Sequence, residues 1–338
     1  MKVTAVGSRL SSGTLGRALD AIPPSAGAWV MGTAIVSIGL SLDGQELLSR
    51  VIAAIAAAIW ATLAGLLPLR ALRDPPRFRA DARTPGALTA PIATAVLGTR
   101  LTSLGWTWAG IAALTLAAVL WVALLGPVLV AWKSPTVGVS LLLAVSAESL
   151  AVLSATLATP ERARWLLIAA VVLFGLGLVF YLLVLSRFDV RQLAVGHGDH
   201  WITGGALGIA ALAAGRIHAA ASALDAIGGG RSALEDIALA LWGLTMLWLL
   251  ALLASEVRWP RLAYDERRWS TVFPLGMYAA CSFAVGSAAH ADAILAFARA
   301  WVWIGLASWV VVSIATIRRL AGVVLTDASS TAGTRAPR

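Results

Sequence analysis

Ten stretches of about twenty mostly apolar residues recur along this chain, and that recurrence leaves few folds open to it. They cover residues 25–42, 50–69, 86–105, 107–131, 135–158, 164–186, 201–222, 233–255, 269–289 and 298–318. Backbone polar groups in lipid must be satisfied within the segment, so a hydrocarbon core of about 30 Å is crossed by roughly 20 residues of helix. Of the 338 residues, 59% are hydrophobic and 13% are charged. A soluble domain of this length has too little interior to hide so much apolar surface. The fold class predicted is an all-α integral membrane protein with ten transmembrane helices.

A net charge of +9 would suggest nucleic acid in a soluble protein, but here it fits short loops facing an anionic cytoplasmic leaflet. With the N-terminus placed inside, 19 of the 26 Lys and Arg residues fall on the cytoplasmic side. They concentrate in the loops Arg70–Arg83 and Arg258–Arg268. The seven on the other side are Arg50, Arg100, Arg162, Arg164, Arg216, Arg231 and Arg299. This asymmetry predicts an even number of crossings, both termini in the cytoplasm and a place in the cell membrane. Residues 1–24 are too polar for a signal-peptide core and read as a cytoplasmic tail. Residues 25–320 read as the membrane domain, and 321–338 as a disordered cytoplasmic tail. The preference for Arg over Lys and the absence of Asn suggest a GC-rich bacterial source. Trp106, Trp108, Trp132, Trp165, Trp201, Trp259, Trp269 and Trp301 lie near segment ends, as an interfacial belt does.

The odd-numbered segments are rich in small residues, among them Gly27, Gly32, Gly86, Gly98, Ser146, Gly204, Gly208, Gly276 and Gly286. Small residues let helices approach closely or leave room beside an axis, and composition alone allows both. Glu148 sits mid-segment, where an ionisable group is expensive. It could bind a proton or cation, or be a carboxyl held by a neighbouring helix. Arg100 could snorkel to the interface or draw anions to a pore mouth. Arg216 is expected to pair across its hairpin with Glu235 or Asp236. The run Phe273-Pro274-Leu275-Gly276 combines a helix kink with a bulky apolar ring, a combination that can block or dewet a pore. Ordinary packing against lipid or a neighbouring helix is the other reading of Phe273. His197 and His200 flank Asp199 without the spacing of a metal site, and no catalytic motif is present. No cofactor, metal, catalytic residue or nucleic-acid partner is expected, and the single cysteine, Cys281, excludes an internal disulfide.

Three runs resemble one family. PPSAGAWVMGTAIVSIGL in the first segment, GDHWITGGALGIAALA at the seventh and RRWSTVFPLGMYAACSFAVG at the ninth are similar to the tellurite-resistance/dicarboxylate transporter family. That family includes fungal malate permeases and the plant slow-type anion channels. The resemblance implies five helical hairpins around a quasi-fivefold pore, with odd helices lining it, even helices outside, and homotrimers. It implies a phenylalanine gate, which falls on Phe273, with Pro274, Gly276, Gly32, Gly98, Gly204 and Gly208 as pore-lining or kink positions. The function implied is transport of small anions, either C4-dicarboxylates or inorganic ions. A tellurite or toxic-oxyanion resistance permease is the alternative, followed by a membrane enzyme or scaffold.

Overall fold

The computed structural model describes Gly16, Leu19 and residues 22–195, 198–226, 230–260 and 265–333. Most of the N-terminal tail, His197 and the last five residues lie outside the described residues. The long helices are α1 (Gly27–Leu42), α2 (Glu46–Arg73), α3 (Thr89–Ser103), α4 (Thr107–Val130), α5 (Leu142–Ala158), α6 (Arg164–Leu185), α7 (Ile202–Ala223), α8 (Gly230–Arg258), α9 (Trp269–Ala288) and α10 (Asp292–Gly333). No strand occurs among the described residues.

Eight of the helical stretches are long and apolar enough to cross a membrane. The exceptions are α1 and α3, with 16 and 15 residues. At about 1.5 Å per residue they reach only about 24 Å. Each is led in by turns, Pro24–Ala26 before α1 and a 3-10 turn at Pro85–Leu88 before α3. Part of each apolar stretch is therefore spent on the lead-in.

Consecutive helices pack in pairs: α1 with α2, α3 with α4, α5 with α6, α7 with α8, and α9 with α10. The first members also touch in a closed circuit, α1 to α3, α3 to α5, α5 to α7, α7 to α9, and α9 back to α1. Burial separates the two sets. The central windows of α5, α7 and α9 are 94%, 72% and 83% buried, whereas those of α2, α4, α6, α8 and α10 are between 11% and 39% buried. The outer set exposes large apolar side chains such as Val122, Val172, Leu250 and Val311, as lipid-facing surfaces do.

Tryptophan behaves differently from a simple belt. Trp106, Trp108, Trp165 and Trp259 are exposed at helix ends, but Trp201 and Trp269 are buried. Several indoles point inward instead. Trp60 of α2 donates to Thr94 of α3, Trp121 of α4 to Ser146 of α5, and Trp242 of α8 to Ser282 of α9, all at 2.8–3.0 Å. Trp309 of α10 donates to Thr33 of α1, and Trp269 of α9 to Thr316 of α10. An indole N–H in lipid needs an acceptor, and these hydroxyls tie each outer helix to its inner neighbour. Helix α6 uses Tyr181 instead, whose hydroxyl donates to the Thr203 carbonyl of α7 at 3.4 Å.

Candidate functional site

All five inner helices begin around one cavity of about 700 Å³. Its walls carry Ser25 and Ala28 at the start of α1, Thr89 of α3, Leu142 of α5, Ile202 of α7, and Trp269, Ser270 and Phe273 of α9. None of the five N-caps (Ala26, Leu88, Leu141, Trp201 and Arg268) makes a side-chain capping hydrogen bond. A helix start carries about half a positive charge, and five starts around one space make it attractive to anions. Arg267 adds a full charge to the wall, offset by Asp199 there and by an ion pair to Asp265 at 3.7 Å.

A second cavity, of about 340 Å³, lies at the C-terminal ends of α1, α7 and α9. It is lined by Leu42, by Arg216, His218 and Ser222, and by Phe283, Ala284, Ser287 and His290 among others. Helical register links the two cavities. At about 100° per residue, Leu42 returns to the face of Met31, Arg216 to that of Ile202, and Ala284 and Ser287 to that of Phe273, each within about 40°. The residues in register between them are Ile35 and Ile38, Ile209, and Met277 and Ala280, all buried and apolar. Phe273 is 1% exposed and sits on the wall of the larger cavity at the start of this apolar stretch.

The glycines occupy other positions. A Cβ on Gly276 would lie 2.7 Å from Ile35, on Gly32 3.2 Å from Trp269, on Gly98 2.6 Å from Ala113, and on Gly208 3.0 Å from Met277. On Gly204 it would overlap the Tyr278 hydroxyl. At all five the missing side chain admits a neighbouring helix. Pro274, inside α9, packs its ring on Gly205, where a Cβ would be 2.8 Å away.

The intramembrane charges separate by environment. Arg100 is fully buried and donates to Glu46 at 2.9 Å and to the Ser37 hydroxyl at 3.2 Å. Glu46 also binds Arg50 at 2.9 Å and accepts from Ser41. Arg100 therefore neither snorkels nor faces a pore mouth alone; it is the buried half of an ion pair that joins α1, α2 and α3. Glu46 escaped sequence reading because it lies outside the apolar stretches, opposite an arginine 54 residues away.

Glu148 is buried on α5 and turns toward α6, where a Cβ on Gly177 would overlap its Cγ. Neither carboxylate oxygen has a hydrogen-bond partner among the described residues. Because Gly177 makes room for this side chain, Gly177→Val is expected to destabilise the protein by about 2 kcal/mol, the usual cost of overpacking. A fall in the unfolding temperature of the detergent-solubilised protein checks this. Arg216 does not pair with Glu235 or Asp236: no ion pair to it occurs among the described residues, and its Nε is buried without a partner. It lines the cavity on α7, whereas the two acids lie in the second turn of α8, in the outer set. His200 is buried 3.9 Å from Glu256, and no group of three metal-ligating side chains occurs among the described residues.

A circuit of buried helices, wrapped by lipid-facing ones and hollowed at both ends, defines a multi-pass membrane protein of the channel or transporter class. The chain belongs to the voltage-dependent anion channel family, whose model matches residues 21–317. This is the tellurite-resistance/dicarboxylate transporter family that the three runs resemble, and its members carry anions across membranes. An uncharacterised membrane protein of Mycobacterium tuberculosis, from two strains, is 29% identical over 131 residues. That match covers 37% of this chain and 66% of the relatives' length, just under two thirds of them.

Proposed function

We propose that the chain conducts small anions, inorganic or C4-dicarboxylate, along the axis of the inner helices, and that Phe273 closes the path. In this reading all ten helices cross the membrane as five hairpins around a quasi-fivefold pore, and subunits assemble as homotrimers. The observation that carries it is the convergence of five helix starts and Phe273 on one cavity. The Lys and Arg asymmetry supports a cytoplasmic position for that cavity, with both termini on the same side. Anions gathered there by the helix starts meet an apolar stretch that begins at the Phe273 ring, and a dry constriction of this kind stops ions without a charged barrier. Movement of the ring would admit them.

Glu148 faces α6 and contributes no charge to this path. Glu148→Gln is therefore expected to leave the anion selectivity sequence unchanged in proteoliposomes; an inversion of that sequence would put Glu148 in the path. The reading as a whole is tested by reconstituting the purified protein and following chloride, nitrate and malate flux. Flux of at least one of these above empty liposomes is expected. Absence of flux for all three, from wild type and gate variant alike, would remove the conduit.

A further inference from the structure

We infer that the cavity at the C-terminal ends of α1, α7 and α9 is a binding site for a small anion, with Arg216 as its principal ligand. This rests on the conduit reading above and gives its outer mouth a chemistry.

The cavity wall holds three basic side chains, Arg216, His218 and His290, and two hydroxyls, Ser222 and Ser287, and among the described residues no carboxylate lines it. A guanidinium in a membrane protein is ordinarily paired, as Arg100 is with Glu46 and Arg70 with Asp81. Arg216 has no such partner among the described residues, and its Nε is buried without a hydrogen bond. A helix-end role does not explain it either. It lies seven residues before the end of α7, and the last turn of that helix contains no basic residue. The nearby carboxylates on the adjoining segments, Asp43 after α1, Asp225 after α7 and Asp292 at the start of α10, stand outside the wall. What is missing from the arrangement is a negative charge, and the cavity has room for one.

The ligand class follows from the donors. A planar guanidinium fork recognises planar oxygens, so nitrate and carboxylates suit it. Two hydroxyls and two imidazoles around it offer further donors. The helix ends here present carbonyls, which repel anions, so a fixed positive side chain is needed at this mouth and not at the other, where five helix starts already supply the field. The two mouths thus attract the same ions by different means, backbone dipoles on one side and a side chain on the other.

The probe is nitrate. In Phe273→Ala proteoliposomes, where the gate no longer limits flux, Arg216→Gln is expected to raise the half-saturating external nitrate concentration about tenfold. Arg216→Lys keeps the charge and should stay within about threefold. Ser222→Asp places a carboxylate on the same wall at an exposed position and should reproduce the loss even if Arg216→Gln folds poorly. In detergent, nitrate should raise the unfolding temperature of wild type more than chloride at the same concentration does, because chloride presents no planar oxygens to the fork, and Ser222→Asp should abolish the difference. Unchanged half-saturation and unchanged nitrate stabilisation in Ser222→Asp and in folded Arg216→Gln would overturn the site while leaving the conduit standing. Were no variant to conduct, the nitrate stabilisation alone would decide the site, and the conduit would fall separately.

Discussion

Phe273→Ala is expected to raise anion flux about thirtyfold over wild type in proteoliposomes. The ring is buried between the larger cavity and the apolar stretch, and in the proposed reading an ion passes only when it leaves that place. Fully burying a phenylalanine is worth roughly 2 kcal/mol, and a barrier of that size corresponds to about thirtyfold in rate. Removing the ring removes this part of the barrier. The substitution also leaves a void, and core Phe→Ala changes cost about 3–5 kcal/mol of stability. The comparison is therefore normalised to protein that elutes as a single species in detergent. Phe273→Leu, which fills more of the space, should fall between the two. Equal flux from all three would place the restriction elsewhere on the path.

The second large effect concerns stability. Glu46→Ala is expected to destabilise the protein by about 2 kcal/mol. Removing one partner of a buried pair typically costs about 3–5 kcal/mol because the other charge is stranded. The Glu46 side chain is 42% exposed, whereas that of Arg100 is 1% exposed, so some rehydration on the acid's side reduces the figure. The double variant Glu46→Ala/Arg100→Leu should recover most of the loss, since an apolar side chain needs no partner at that depth. Thermal unfolding of the three variants in one detergent checks this. A double variant less stable than Glu46→Ala would mean that Arg100 is retained for its bonds to Ser37 and α1 rather than merely tolerated.

The membrane-embedded, all-helical character was legible because lipid imposes a simple rule: about twenty apolar residues per crossing. The small-residue bias of the odd segments was legible, but composition allowed either close packing or an axis, and the inner place of the odd helices came only from the family resemblance. The 3-10 turns that shorten α3 were hidden because hydropathy does not distinguish a turn from a helix in the same apolar run. Long-range pairings were hidden for a related reason. Nothing near Arg100 in sequence names Glu46, and nothing near Arg216 reveals that Glu235 and Asp236, on the following helix, form no ion pair with it. Tryptophan misled where a hydroxyl on a neighbouring helix competes with the interface, as Thr316 of α10 does for Trp269 of α9. The glycines singled out for a pore proved to be contact points between helices, since glycine serves close approach and open space equally well in a sequence.

The central claim is that anions travel between α1, α3, α5, α7 and α9 along the face that carries Ile209. Cys281 is the chain's only cysteine, so Cys281→Ala leaves a thiol-free background. Into it go Phe273→Ala, to open the path, and Ile209→Cys, to put one thiol midway between the two cavities. Treatment with the anionic reagent 2-sulfonatoethyl methanethiosulfonate is predicted to modify that thiol and to stop nitrate flux, with recovery on reduction. Complete modification with flux undiminished would contradict the account, because the ions would then be passing somewhere else.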